Sequence, residues 1–323
     1  MMSRLSELTG QLSGHAWTVG PKVWNTLTRP APPESHFWSR ETDRWQGQPV
    51  RVTGQYRRRD CDTLVVIVHG LGGCADSDYV VRAAIALEEA GLATLRLSLR
   101  GADRTGDDMY HGGLWHDVAG AVTDPLFEDY DRIFVIGFSL GGHIALRTAI
   151  ELDAPRLQGV AAICSPLDLG AAQAEIDEPK RRMYREYILW ELRHLYREVA
   201  ERRPVPTPLK RVQMVRTLRE WDALTVVPRF GFRDVDDYYE TVSVAGDLEG
   251  LRRPALLVAT EYDPLVLPSA VEAGLPVETD RFEVKWVRRG GHVFLPRNID
   301  LGYAGRVGVI PQALTWLEQN SEP

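Results

Sequence analysis

Between residues 50 and 164 the chain alternates short apolar runs with stretches in which apolar residues return every three or four positions. Residues 64–68 form a continuous, β-branched run suited to a strand buried on both faces. Residues 50–56 instead alternate apolar with polar, like a strand at an exposed edge. Helical spacing then covers 79–89, 115–122 and 140–152, with extended runs at 93–98, 132–137 and 159–164 between and after them. Strands separated by helices imply right-handed crossovers, and so an α/β fold with a mostly parallel sheet flanked by helices.

The alternation stops between about residues 165 and 253, then resumes with strands at 255–259 and 282–287 and a closing helix from about Pro311. Within the interruption Tyr184, Ile188, Leu192, Leu195 and Val199 recur at helical spacing among arginines and glutamates, an amphipathic helix that must lie on something apolar. Open α/β sheets bind ligands beyond the carboxyl ends of their strands. An insertion that leaves one strand end and returns at the next strand is therefore placed to cap the site. The expected divisions are an N-terminal arm (1–48) with scattered Trp, Pro and Gly and no sustained period, a core (49–165 and 252–323) and a helical cap insertion (166–251).

At 323 residues and 44% apolar content the chain can bury a full core. Its unbroken apolar runs fall far short of the roughly 18 residues of a spanning helix, and its N-terminus lacks a signal-peptide pattern, so no transmembrane segment and a cytoplasmic location are expected. Cys61, Cys74 and Cys164 form no CxxC pair and suit neither a disulfide framework nor a zinc site. A net charge of -7 argues against nucleic acid as a partner, but residues 180–229 carry 13 Lys and Arg against 6 Asp and Glu.

The sharpest chemical signal is the run Gly137-Phe138-Ser139-Leu140-Gly141-Gly142, placed directly after one strand and before a helix. A serine on such a turn is pushed out of the sheet, beside free helix N–H groups that favour a developing anion. His69-Gly70-Leu71-Gly72-Gly73 follows the 64–68 strand and can present backbone N–H groups to a substrate oxygen, with Leu71 and Leu140 as the two donors of an oxyanion hole. No Lys-Ser or Lys-Thr pair follows these glycines, so a phosphate loop is excluded. His69, at a strand end, reads as a structural hydrogen-bonding residue.

A serine hydroxyl needs a base, and that base needs an orienting carboxylate. His292, in Gly290-Gly291-His292-Val293, and Asp263, in Tyr262-Asp263-Pro264, each lie just beyond a strand and complete the order Ser, Asp, His. Asp168 and Glu261 are rival acids. His111, His116 and His143, with Asp117, match no metal-ligand spacing, and neither a metal nor a cofactor is expected. His143, four residues after the serine, is a candidate pocket residue, though packing is its more common role. Trp190, Tyr184 and Tyr187 on the cap helix suggest an apolar acyl pocket.

These motifs, with Arg100-Gly101, Tyr110-His111-Gly112-Gly113, Ser165-Pro166-Leu167-Asp168-Leu169 and the cap residues Arg219-Glu220-Trp221-Asp222, Gly231-Phe232 and Asp237-Tyr238-Tyr239, resemble the YheT-like alpha/beta-hydrolase family, relatives of the ABHD-type lipid hydrolases. The resemblance runs from about Cys61 to the end. It implies an alpha/beta-hydrolase fold and carboxylic-ester hydrolysis, with the triad on Ser139, Asp263 and His292. The family usually has Asn where His143 stands, and it differs at Phe294-Leu295-Pro296; both departures bear on pocket shape.

The expected function is a serine hydrolase acting through an acyl-enzyme on a small-molecule acyl ester, with medium or long chains. An acyltransferase using the same triad and a non-catalytic binding homologue are the alternatives. The basic residues of the cap read either as a solvated, salt-bridged face or as a contact for an anionic head group. The oligomeric state is left open.

Overall fold

The computed structural model describes residues 4–27, 30–276 and 279–321. Residues 1–3 and 28–29 of the expected arm, and 277–278 and 322–323 of the expected core, lie outside the described residues. Eight strands form one sheet: β1 (His36–Trp45), β2 (Gln48–Arg57), β3 (Thr63–Val68), β4 (Ala93–Ser98), β5 (Arg132–Phe138), β6 (Leu157–Ile163), β7 (Ala255–Thr260) and β8 (Phe282–Val287). Their spatial order is β1-β2-β4-β3-β5-β6-β7-β8, antiparallel at the first two pairings and parallel from β4 onward.

The helices of the first half are α1 (Arg4–Leu27), α2 (Asp78–Glu89), α3 (Trp115–Val122) and α4 (Leu140–Glu151). Between β6 and β7 come α5 (Leu169–Asp177), α6 (Arg182–Arg202), α7 (Leu209–Val212), α8 (Leu218–Leu224), α9 (Val226–Phe230) and α10 (Val235–Val242). α11 (Pro268–Ala273) and α12 (Val309–Asn320) complete the chain.

The strict alternation of a strand sorts the core onto two faces. Val65 and Ile67 of β3 pack with Val80, Ala84 and Leu87 of α2 and with Ala313 and Leu317 of α12. Leu64, Val66 and Val68 face the opposite way, into a larger cluster with Val118 of α3 and Ile144 of α4. That cluster continues without a break into Ile188, Leu192, Leu195 and Trp221 of the inserted helices. All five apolar positions predicted for the long cap helix are buried on α6.

The expected arm is more regular than its sequence implied. α1 is a 24-residue helix, and β1 pairs antiparallel with β2 along its length. β2 is therefore an inner strand, not the exposed edge its alternation suggested. β1 carries no periodic apolar signal because, as the true edge, it buries only Trp38 among mostly polar residues and leaves Phe37 exposed.

A buried ion cluster joins the inserted helices to the sheet. Arg229 of α9 donates to both carboxylate oxygens of Asp108, at 3.0 and 2.6 Å. Arg100 lies beside them and holds Asp117, with Nη2 2.6 Å from Oδ1. Asp117, singled out with the histidines, is thus a partner of Arg100, and His116 stacks on Trp115. Among the described residues no three His, Cys, Asp or Glu side chains converge on a point where an ion could sit.

Candidate active site

Ser139 sits between β5 and α4 with φ 52° and ψ -122°, a conformation a non-glycine residue adopts only where its surroundings impose it. The turn closes tightly: a Cβ on Gly137 would lie 2.2 Å from the carbonyl oxygen of Gly141. The strain directs the hydroxyl away from the sheet, toward the loop after β8.

There Ser139 Oγ lies 2.9 Å from His292 Nε2, and His292 Nδ1 lies 3.0 Å from Asp263 Oδ2. Nδ1–H donates to the carboxylate, which leaves Nε2 to accept from the serine hydroxyl. Asp263 is almost wholly buried, and its Oδ1 also accepts from the Leu265 and Val266 amides at 2.8 and 3.0 Å. The rival acids are elsewhere. Asp168 caps α5 by accepting from Ala171 N–H, and Glu261 pairs with Arg288 at 3.4 Å.

Two tyrosines hold the glycine-rich loop after β3. Gly70 N–H donates to Tyr79 Oη at 3.0 Å and Gly72 N–H to Tyr110 Oη at 2.7 Å. Burial pushes the Tyr79 phenol up to about 12, so it accepts as a neutral hydroxyl. The Leu71 amide between them and the Leu140 amide at the start of α4 have no acceptor among the described residues. His69 is fully buried. Its Nε2 accepts from Leu99 N–H at 3.1 Å, its Nδ1 donates to Gly70 O at 2.8 Å, and burial holds it neutral, down to about 4.

A cavity of about 610 Å³ opens from Ser139 and His292. Its floor comes from the core and its roof from the inserted helices, including Tyr184, Tyr187, Ile188, Leu192 and Trp221. Asp222 also faces it. Burial pushes that carboxyl up to about 7, against the pull of a 2.6 Å hydrogen bond from Tyr239 Oη.

Two expected pocket residues are placed elsewhere. Trp190 is half exposed, stacks on Tyr187 and lies tilted against His194, and does not line the cavity. The physical reason is helical phase: Ile188 and Leu192 face inward, and a residue two positions from either points to the opposite side. His143 is buried one turn below the serine, with Nδ1 3.0 Å from Pro166 O and Nε2 2.9 Å from Val242 O. It ties the chain leaving β6 to the end of α10, and burial keeps its pKa below the usual imidazole value despite those carbonyls.

The sequence reading missed α1 altogether. Thr18 and Val19 line the cavity, and Thr18 Oγ1 accepts from His292 N–H at 2.8 Å while donating to Gly14 O. A Cβ on Gly14 would fall 1.9 Å from the Tyr262 carbonyl oxygen, so α1 lies directly on the segment that carries Asp263. At the roof, His15 Nδ1 meets Tyr184 Oη at 2.6 Å. The only sequence hint was the small-residue spacing of Gly10, Gly14 and Thr18, which marks one close-packing face of a helix.

A model of the alpha/beta hydrolase family matches residues 65–300. Over 85% of its length the chain is 26% identical to the YheT protein of Escherichia coli, provisionally classed as an esterase, and covers 77% of that protein. Over 64% of its length it is 27% identical to the monoacylglycerol lipase of Saccharomyces cerevisiae, of which it spans about half, 49%. Among solved structures, the Pyrococcus furiosus esterase Pf2001 aligns with 81% of the chain and 91% of its own, at a TM-score of 0.52 and 17% identity, a likeness of fold. The YheT-like resemblance and the fold class expected from the motifs are borne out.

Proposed function

Because the chain belongs to the alpha/beta hydrolase family, we propose that it is a serine hydrolase of carboxylic esters with medium or long acyl chains. The observation that carries this reading is the 2.9 Å contact of Ser139 Oγ with His292 Nε2, backed by Asp263, at the end of an apolar cavity. In this reading residues 166–251 form a cap on a core of 49–165 and 252–323, and the cap supplies the acyl pocket with Tyr184 and Tyr187. The free thiols suit a reducing compartment, and we place the reaction in the cytoplasm.

Ser139 attacks the ester carbonyl while His292 Nε2 takes its proton, and Asp263 holds the tautomer and stabilises the imidazolium. The carbonyl oxygen moves into the space before the Leu71 and Leu140 amides, each worth about 10²–10³ in rate. His292 returns the proton to the leaving alcohol. Water then attacks the acyl-enzyme by the same route, with His292 again as base.

The test is mass spectrometry of the folded protein after a fluorophosphonate, beside Ser139→Ala, followed by a panel of esters of increasing acyl length. A single adduct on Ser139 and turnover that rises with chain length are expected. An unlabelled, folded protein would overturn the reading in favour of a ligand-binding homologue. Capture of the acyl group by an added alcohol in preference to water would make the enzyme an acyltransferase.

A further inference from the structure

α6 presents an unusual outer face. Met183, Tyr187, Trp190 and His194 follow one another at three-to-four spacing and share one stripe of the helix. Met183, Tyr187 and Trp190 are 65%, 40% and 51% exposed, large apolar side chains left in water. The neighbouring stripe carries Arg182, Glu186 and Arg193, which with Arg185, Arg216 and the 78% exposed Met214 line a groove against the α7–α8 connection. Four arginines there face one glutamate, and that glutamate stands 3.9 Å from Arg193. Among the described residues the Arg182 and Arg216 guanidinium groups have no carboxylate partner.

We propose that this face docks on a lipid surface carrying anionic headgroups. An amphipathic helix with aromatic and methionine side chains flanked by arginine is the composition of a helix that lies in a bilayer interface. Aromatic rings settle at the headgroup level, and juxtaposed arginines are drawn to anionic lipid. The whole chain carries a net charge of -7 although residues 180–229 hold 13 Lys and Arg against 6 Asp and Glu, so the rest of the chain is repelled by such a surface and the basic face is the one that turns toward it. Met183 and Tyr187 also line the cavity that leads to Ser139. Resting on the esterase reading, the consequence is that an ester leaves the bilayer straight into the acyl pocket without crossing water.

The experiment sediments the full chain carrying Ser139→Ala, which leaves the lipids intact, with vesicles of phosphatidylcholine alone or with phosphatidylglycerol added. Binding to the anionic vesicles only, lost at high salt, is expected. Arg182→Gln with Arg216→Gln should weaken it about 30-fold, about fivefold for each arginine. Trp190→Ser should weaken it through the apolar stripe. The same substitutions on the wild-type serine should leave fluorophosphonate labelling of Ser139 unchanged, since none of them lines the cavity. No sedimentation with anionic vesicles, equal sedimentation with neutral ones, or binding indifferent to the substitutions would overturn the proposal. Labelling reads the esterase assignment separately: labelled protein that ignores vesicles sinks docking alone, and docked protein that resists labelling sinks the esterase reading alone.

Discussion

Thr18→Val tests whether α1 is part of the active site or merely lies beside it. Valine keeps the shape and β-branching of threonine but removes the oxygen that accepts from His292 N–H at 2.8 Å. An unpaired buried N–H costs about 1–3 kcal/mol. The adjacent Val293 already has φ 58°, a conformation that costs about 1–3 kcal/mol and persists only when its surroundings hold it. Releasing the loop at His292 lets that strain relax and moves the imidazole away from Ser139. If about half of the lost bond, roughly 1 kcal/mol, appears as misplacement of the imidazole, kcat/KM falls about fivefold. The loss should lie in kcat with KM nearly unchanged, because the acyl pocket is left intact. Steady-state hydrolysis of a short-chain ester and the rate of fluorophosphonate labelling measure it. Thr18→Ser, which restores the acceptor, should recover most of the rate. A Thr18→Val chain that turns over and labels like the wild type would refute the argument and reduce α1 to a cover.

In Asp263→Asn the side-chain oxygen should stay with the Leu265 and Val266 amides, turning the NH₂ toward His292 Nδ1. The forced tautomer should lower kcat about 10⁴-fold with the fold unchanged by circular dichroism; a loss below tenfold would show that another acid serves. His69 is held down to about 4 from 6.5, so its stabilising contribution is complete above pH 6.5 and is lost as pH falls toward 4, up to about 3 kcal/mol. Urea midpoints at pH 7 and 4.5 should diverge less in His69→Gln than in the wild type, and equal divergence would count against a buried neutral ring. Asp222, raised to about 7, has the opposite sign: its contribution is present at low pH and is lost as pH rises through 7. Asp222→Asn should therefore gain about 2 kcal/mol above pH 7, after allowance for its partial exposure, and nothing at pH 4. Thermal denaturation at the two pH values decides it.

The catalytic candidates were legible because each sits at a local junction that the chain writes out in consecutive residues. Gly137 and Gly141 around Ser139, the strand before it and the helix after it form one short segment. The strained φ of Ser139 is held by the packing around it, while the tight turn is legible from its glycines and flanking elements. The same holds for the alternation of strands and helices. The burial of α6 positions 184, 188, 192, 195 and 199 follows from helical period alone. β1 was not legible, because an edge strand that buries only Trp38 has almost no apolar signal. The sequence names Asp263 as the acid, but Asp168 and Glu261 also follow strands and also lie between Ser139 and His292, so chain order alone does not separate the three.

What the sequence determined by itself is the class of chemistry and the elements that could carry it. Motif, order and period are properties of neighbours along the chain. Only the tertiary structure decided that Asp263 faces the imidazole, that Trp190 turns outward, and that α1 closes over the loop bearing His292. Thr18 and His292 are 274 positions apart, and nothing in the local preferences of either predicts that they touch. Contacts of that kind are chosen by the packing of whole elements, which minimises exposed apolar surface over the entire molecule; a stretch such as Gly10, Gly14 and Thr18 can mark a close-packing face without naming what packs on it.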